Sequence, residues 1–264
     1  MNIIVCVKQV PDTSQMKFDP ETKTIKREGV ENIVNPFDLY AVEEALRIKE
    51  KYFPQSTITA ISMGPKQAEN ALREVISMGV DKAILISDKS FAASDTLATS
   101  YVLSEAIKKI GNFDLILFGK MAIDGDTAQV GPEVASLLDI PQITFVRKIV
   151  EIKDDYLIAE RSMEDGYETL KVKLPAALTC IKELNEPRLP SLRGKMRAKK
   201  EEILVWDANF LGIDLSKCGF KGSPTWVTKA FTPTIQKENI IFSDENQEKN
   251  VENLINELKK KSII

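Results

Sequence analysis

Histidine is absent from the whole chain of 264 residues. Its absence excludes histidine-based catalytic triads, imidazole metal ligands and an imidazole proton shuttle from this chain. Cysteine is scarce, since it occurs at Cys6, Cys180 and Cys218, which lie far apart. This spacing indicates neither a disulfide framework nor a CxxC metal site, and we expect a protein of the reducing cytoplasm.

Long apolar stretches are also missing. No run of 18 apolar residues occurs, and the first residues form neither a charged segment nor a signal-type hydrophobic stretch, so we expect neither export nor membrane insertion. The 36 basic and 39 acidic residues give a net charge of −3 and no general attraction to nucleic acid. A basic run at residues 193–200 contains no aromatic residue and is followed at once by Glu201 and Glu202. It predicts a solvated helix or a protein-docking edge, not a nucleic-acid site.

Neither a Walker A nor a GxGxxG pattern occurs, yet the first half alternates between strand and helix signals. Apolar runs at residues 2–7, 57–63, 82–87 and 113–118 predict buried strands, and each precedes a segment with helical periodicity. Four such units require parallel strands joined by right-handed crossovers. We therefore predict an α/β fold built on a doubly wound, mostly parallel sheet.

Local signals refine these units. Residues 12–34 predict an excursion that includes a small hairpin, and Pro36 is expected in the first turn of the helix after it. Ser94 and Asp95 are candidate caps of the third helix, whose predicted core-facing residues begin with Leu97.

The second half changes character after Pro141. Runs at residues 142–152, 156–161 and 167–172, separated by turn residues, predict an added antiparallel meander, and residues 174–181 predict one more buried strand. Residues 185–194 read as a loop, and an extended C-terminal arm is expected from residue 207. Ser243 or Asp244 is expected to cap a last amphipathic helix, which would pack on a partner or fold back on its own domain. Its apolar stripe is Val251, Leu254, Ile255 and Leu258.

Residues 119–131 are the stretch most typical of a ligand site. They leave a buried strand, pass through a Gly- and Asp-rich turn and open a helix, which is the usual geometry for seating a phosphate or ribose against backbone N–H groups. Asp126 or Thr127 is the expected cap, and Gly119 and Gly125 would let a ligand approach the backbone. A capped turn without any ligand is the alternative. The polar atoms on offer belong to Asp124, Asp126, Thr127 and Gln129.

Several motifs resemble one family, the beta subunit of electron-transfer flavoproteins. They are residues 5–10 (VCVKQV), 35–38 (NPFD), 41–45 (AVEEA), 119–124 (GKMAID), 185–188 (NEPR) and 196–200 (MRAKK). They occur in the family's order and cover most of residues 1–206, whereas the C-terminal arm matches most weakly.

The resemblance implies an adenine-nucleotide alpha-hydrolase-like fold and an obligate heterodimer with an alpha subunit. Residues 1–206 would form the nucleotide- or flavin-binding domain, with a recognition loop at 183–200, and residues 207–264 would pack on the alpha subunit. The nucleotide would touch residues at strand ends and helix starts. By this resemblance they are Cys6, Asn35, Pro36, Phe37, Asp38, Met63, Asp95, Thr96, Gly119, Lys120, Met121, Ala122, Ile123, Asp124, Gly125, Asp126, Thr127, Ala128, Gln129 and Val130.

The loop sequence of residues 122–132 (AIDGDTAQVGP) resembles the electron-bifurcating branch of the family, and Gly125 is its most telling position. In that branch the beta subunit binds FAD that accepts a hydride from NADH, and one electron passes through the alpha-subunit FAD to an acyl-CoA or related dehydrogenase. The other electron passes to ferredoxin or flavodoxin, and no catalytic acid or base is required of the chain. The alternatives are a non-bifurcating beta subunit that holds structural AMP and a non-redox adenine-nucleotide-binding regulatory module. An adenylating enzyme is disfavoured because no Ser-Gly-Gly-x-Asp-Ser sequence follows the first strand.

The segment from Leu189 to Leu192 resembles the recognition loop of the family. Leu192 occupies the position of an apolar anchor for the acceptor dehydrogenase, and Arg193 begins the basic run that would attract an acidic partner. The alternative is a surface leucine that packs on its own domain.

Overall fold

The computed structural model describes residues 1–12, 17–18, 25–26, 31–228 and 239–264. Within them, no helix is long and apolar enough to cross a bilayer. The strands are β1 (Asn2–Cys6), β2 (Gln9–Pro11), β3 (Lys17–Phe18), β4 (Ile25–Lys26), β5 (Asn32–Val34), β6 (Thr57–Met63), β7 (Lys82–Ile86), β8 (Leu115–Gly119), β9 (Gln142–Ile152), β10 (Tyr156–Met163), β11 (Gly166–Lys173), β12 (Ala176–Cys180) and β13 (Leu204–Trp206). The helices are α1 (Pro36–Lys51), α2 (Glu69–Met78), α3 (Thr96–Ile110), α4 (Val130–Leu137), α5 (Leu192–Lys200), α6 (Ala208–Leu211), α7 (Gly219–Gly222) and α8 (Gln247–Lys260).

Nine strands form one sheet in the order β11-β10-β9-β12-β8-β1-β6-β7-β13. Neighbouring strands from β9 to β13 pair in parallel, and β10 and β11 add the antiparallel part. The predicted sheet, its meander and the buried strand β12 are therefore confirmed. Of the predicted hairpin, β3 and β4 pair antiparallel, and the residues between them lie outside the described ranges.

Helices cover both faces of the sheet because β1 alternates its side chains between two apolar layers. Ile3 and Val5 pack in the layer that holds α1 and α2, whereas Ile4 and Cys6 pack in the layer that holds α3 and α4. Helices α1 and α2 carry the chain outward from β1 to β6 and β7, and α3 returns it to β8 on the other side of β1. The sheet is doubly wound, and its strand order reverses between β1 and β8.

Three local predictions are wrong. Leu97 is 45% exposed, because it lies in the first turn of α3 on the side away from the sheet. Neither Asp126 nor Thr127 caps α4, since that helix begins only at Val130 and Gln129 occupies the cap position without a side-chain bond. Neither Ser243 nor Asp244 caps α8, because the Asn246 side chain accepts the bond from Glu248 N–H.

Two other expectations for helix starts are confirmed. Asp95 caps α3 by accepting a bond from the N–H of Ala98 at 3.0 Å, and Pro36 is the first residue of α1. Ser94 takes no part in the cap, because its hydroxyl donates to the carbonyl of Phe91.

The C-terminal segment begins with short helices that contact α3. Ala208, Leu211 and Cys218 are buried in the layer of α3 and α4, and Ser223 and Thr225 hydrogen-bond to Asp95. By contrast, α8 contains no buried residue. The division of the chain into a nucleotide- or flavin-binding domain (residues 1–206) and a C-terminal arm (residues 207–264) remains a prediction.

Candidate functional site

The candidate site lies where β1 and β8 end side by side. In open parallel sheets the reversal of strand order leaves a crevice at the carboxyl ends of the two strands, where ligands bind. Here the crevice is bordered by the end of β1, the first turn of α1 and the loop of residues 120–129 between β8 and α4. The fold therefore brings the predicted stretch and the Asn-Pro-Phe-Asp motif together.

Asn35, the residue before α1, is 1% exposed and ties that helix to the loop. Its Nδ2 donates to Asp38 Oδ1 at 2.9 Å and to the carbonyl oxygen of Met121 at 2.9 Å. Its Oδ1 accepts from the N–H of Ile123 at 3.1 Å. Two of the three hydrogen bonds of the side chain thus hold residues 121–123 in place, the third goes to Asp38, and none caps the helix.

Gly119 allows β8 and α1 to meet. A Cβ atom at this position would lie 2.3 Å from Asp38 Oδ1 and 2.6 Å from the backbone carbon of Phe37. We expected this glycine to make room for a ligand, and that expectation is wrong, because the space is filled by the first turn of α1. Gly125 differs, since a Cβ atom there would meet nothing within 4 Å.

Asp38 is a buried carboxylic acid beneath the crevice. Its Oδ2 accepts from the N–H of Lys8 at 2.7 Å. Burial raises the pKa of Asp38 from 3.8 to about 7, although hydrogen bonds from Asn35, Lys8 and Gly119 lower it. Burial, together with the Asp38 charge, also raises the pKa of the Cys6 thiol well above its ordinary value. The Cys6 thiol is therefore neutral.

We expect Asp38 to make stability depend on pH. Between its ordinary pKa of 3.8 and its folded pKa of about 7 the native chain binds the additional proton, so the free energy of unfolding falls as pH rises through this window. The contribution levels off above about pH 7, and its steepest slope is about 1.4 kcal/mol per pH unit.

Urea unfolding of the wild type and Asp38→Asn at pH 5, 6, 7 and 8 measures this contribution. The stability difference between the two chains should change by more than 1 kcal/mol between pH 5 and 8, in the direction that favours the variant at high pH. Parallel pH profiles would contradict the assignment, whatever the absolute stability of the variant.

The outer part of the loop offers unused hydrogen-bond donors. Asp126 and Ala128 have φ values of 54°, and the N–H groups of Gly125 and Asp126 turn back to the carbonyl of Ala122. The N–H groups of Thr127, Ala128 and Gln129 donate to no atom of the described chain. Consecutive free amides at the carboxyl edge of a parallel sheet suit a phosphate group.

A cation lies at the rim of the same crevice. Lys8 Nζ contacts both carboxylate oxygens of Asp124, at 2.7 and 2.9 Å, and both side chains are partly exposed. Such a pair is worth at most about 1 kcal/mol, so a phosphate can compete for the ammonium group. Free amides, one rim cation and the open space at Gly125 together fit the phosphate and ribose portion of an adenine nucleotide.

Three other predicted contact residues lie at the end of β6 and at the start of α3. Met63 ends β6 and is half-buried beside the crevice. The Asp95 carboxylate already accepts hydrogen bonds from within the chain. Its Oδ1 caps α3, and its Oδ2 accepts from the N–H of Thr225 at 3.0 Å and from the Thr225 hydroxyl at 2.8 Å. Burial would raise the pKa of Asp95, but the bonds from Ala98 and Thr225 outweigh it and hold the pKa below its usual value. The Thr96 hydroxyl faces Gln129 and Glu133.

Comparison with known proteins identifies the family of this chain. The electron transfer flavoprotein domain family matches residues 22–211. The electron transfer flavoprotein subunit beta of Thermoanaerobacterium thermosaccharolyticum is 51% identical over 265 residues, covering 100% of both chains. The chain belongs to the electron transfer flavoprotein beta-subunit family.

Two further relatives align with this chain over the full length of both sequences. The electron transfer flavoprotein subunit beta of Megasphaera elsdenii is 46% identical over 272 residues. The subunit CarD of the caffeyl-CoA reductase-Etf complex of Acetobacterium woodii is 45% identical over 264 residues.

The residues of this chain that we predicted for partner recognition are on the surface. Leu189 is 89% exposed and Leu192 is 79% exposed, so the alternative that Leu192 packs on its own domain is wrong. The predicted loop is shorter than expected, because Ser191 accepts a bond from Gly194 N–H and α5 begins at Leu192. Leu192 and the exposed Arg193 therefore stand in the first turn of a helix.

Residues of the Asn-Glu-Pro-Arg motif hold this segment, and sequence reasoning missed their acidic partners on α1. Arg188 bonds through Nε and Nη2 to Glu43, at 2.8 and 3.1 Å, and also pairs with Glu50. Asn185 Nδ2 donates to Glu44 at 2.9 Å. Glu43 and Glu44 lie on α1 within the Ala-Val-Glu-Glu-Ala motif, about 140 positions earlier, and no local signal links the two segments. A cavity of about 460 Å³ lies beside this network and is lined by Glu44 and Glu50 among others. None of its lining residues belongs to the candidate-site loop of residues 120–129.

Proposed function

We propose that this chain is the beta subunit of a heterodimeric electron transfer flavoprotein of the electron-bifurcating type. In this proposal the crevice between β1 and β8 binds FAD, and an alpha subunit completes the protein. The free N–H groups of Thr127, Ala128 and Gln129 are the observation that carries the proposal, because they offer a phosphate three donors that the chain itself does not use.

The described residues would bind and orient the nucleotide, not react with it. Asn35 fixes residues 121–123, and the Lys8 ammonium group would leave Asp124 to pair with a phosphate. The open side of Gly125 would leave room for the part of the cofactor beyond the ribose. When bound, FAD supplies the redox chemistry, taking a hydride from NADH and passing one electron toward each of two acceptors.

The two acceptors follow from the same proposal. One electron would reach a flavin-dependent acyl-CoA or related dehydrogenase through the alpha-subunit FAD, and the other would reach ferredoxin or flavodoxin. The relative CarD is a subunit of a caffeyl-CoA reductase-Etf complex, and this supports an acceptor that acts on CoA thioesters. Exposed Leu189 and Leu192 support an apolar contact with that dehydrogenase.

Flavin counting tests the function. The chain is produced together with its alpha subunit, and flavin and adenine nucleotide are quantified after denaturation. We expect two FAD per heterodimer and bleaching of the visible spectrum by NADH. One FAD plus one AMP per heterodimer would instead establish the non-bifurcating alternative, and nucleotide without flavin would point to a regulatory module.

Substitution of Gly125 tests where the cofactor lies. A side chain at this position meets no atom of the chain within 4 Å, so Gly125→Asp should fold normally. A carboxylate placed beside a phosphate and in the space of the cofactor should lower flavin content from two FAD toward one per heterodimer. Gly125→Ala is the matched control and should retain more flavin. Full occupancy in Gly125→Asp would place the cofactor elsewhere.

A further inference from the structure

Glu133 is a polar residue of α4 that none of our sequence predictions included. Its Oε2 accepts from the hydroxyl of Ser100 at 2.8 Å, and its Oε1 accepts from the hydroxyl of Thr96 at 3.1 Å. Ser100 is 0% exposed, and both donors belong to α3. A single carboxylate in the first turn of α4 thus binds two points on the neighbouring helix.

The connection extends to the loop of the candidate site. Thr96 Oγ1 also lies 3.3 Å from Oε1 of Gln129, the residue just before α4. A hydroxyl has one hydrogen, and the charged carboxylate at the shorter distance is the better acceptor. If the Gln129 amide is turned over, its Nε2 donates to Thr96, and the three side chains form one directed chain of hydrogen bonds.

The opposite side of the same helical turn is also fixed. A Cβ atom at Gly131 would lie 2.8 Å from Cγ2 of Thr179 on β12 and 3.3 Å from the ring of Phe118 on β8. The start of α4 is therefore held against the sheet by close packing and against α3 by Glu133. The free N–H groups of residues 127–129 come directly before this turn, so their direction depends on where it lies.

We propose that Glu133 is a positioning residue for nucleotide binding, which aims the free amides of residues 127–129 at the phosphate by fixing α4 against Ser100 and Thr96. This inference rests on one part of the proposed function, namely that a nucleotide binds in the crevice between β1 and β8. It does not depend on whether that nucleotide is FAD or AMP. Glu133 itself contacts α3 and not the ligand.

The test measures AMP binding by calorimetry to the nucleotide-stripped heterodimer. AMP is the probe because it contains the adenine, ribose and phosphate that both cofactors share. Glu133→Ala should weaken AMP binding by about tenfold, because it removes two charge-assisted bonds that hold the turn. Glu133→Gln should weaken it by less than about threefold, since the Gln oxygen can accept from Ser100 while its amide nitrogen donates to Thr96.

Two further variants separate positioning from general stability. Ser100→Ala removes one donor and should lower AMP affinity in the same direction, even if Glu133→Ala folds poorly. Glu105→Ala is the matched control, because this acid lies on α3 and, among the described residues, pairs only with Lys108. Its AMP affinity should equal that of the wild type.

The outcomes are distinguishable. Unchanged AMP affinity in Glu133→Ala and Ser100→Ala would overturn the positioning role while leaving the nucleotide site intact. Equal losses in Glu133→Gln and Glu133→Ala would also overturn it, because the hydrogen-bond geometry is kept in the former. Absence of AMP binding by the wild type would overturn both this inference and the nucleotide site on which it rests.

Discussion

Gly119→Ala is expected to destabilise the folded chain by about 3 kcal/mol, the upper part of the range for overpacked sites. The new Cβ atom would lie 2.3 Å from Asp38 Oδ1, 2.6 Å from the carbonyl carbon of Phe37 and 2.7 Å from the N–H nitrogen of Asp38. Two of these three atoms belong to the backbone, so no side-chain rotation relieves the contact. The first turn of α1 would have to move away from β8.

Gly125→Ala is the matched comparison for this prediction. The two glycines lie at opposite ends of the same short segment, and the second has open space around it. Its replacement should change the free energy of unfolding by no more than about 0.5 kcal/mol. Urea denaturation of both purified variants measures the difference. Equal stability of the two chains would show that β8 and α1 do not meet as closely as described.

Asn35→Ala should also cost about 3 kcal/mol, and it should loosen the candidate site. The substitution removes three hydrogen bonds and leaves the carbonyl of Met121 and the N–H of Ile123 without their buried partner. The loop of residues 120–129 would lose its attachment to α1, so hydrogen exchange at the Ile123 amide should accelerate by more than global destabilisation explains.

Asn70→Ala serves as the control for this variant. Asn70 is exposed on α2, far along the chain from the loop, and its loss should alter stability by less than about 0.5 kcal/mol. Denaturation curves and amide exchange rates of both variants give the answer. An Ile123 amide that stays as protected in Asn35→Ala as in the wild type would rule out the clamp.

The sequence was sufficient for the sheet and for the position of the loop after β8 at its carboxyl edge. Apolar strand runs and helical periodicity are local signals, and Pro36 and Asp95 mark helix starts through contacts within a few residues. They correctly predicted the parallel strands, the meander and the edge at which residues 119–131 lie.

The contacts that define the site could not be predicted, because they join distant segments. Asn35 reaches Met121 and Ile123 over 86 and 88 positions. The same difficulty holds for the predicted recognition segment, where Arg188 reaches Glu43 over 145 positions. Gly119 shows the difficulty, since a glycine beside a turn suits a ligand or a helix equally well. Only the packing of α1 against β8 distinguishes the two readings. The capping error at Asp126 has a local cause, because left-handed residues at 126 and 128 delay the helix to Val130.

The position of β12 has a consequence for the growing polypeptide on the ribosome. This fully buried strand lies between β8 and β9, both of which are synthesised before it. Until residue 180 has emerged, the nascent chain holds two sheet fragments, each with an apolar edge that lacks its neighbour. Such unpaired edges pair readily with other chains. Termination between residues 152 and 176 should therefore release products that aggregate, whereas a chain released after residue 181 contains β12 and can join the centre of the sheet.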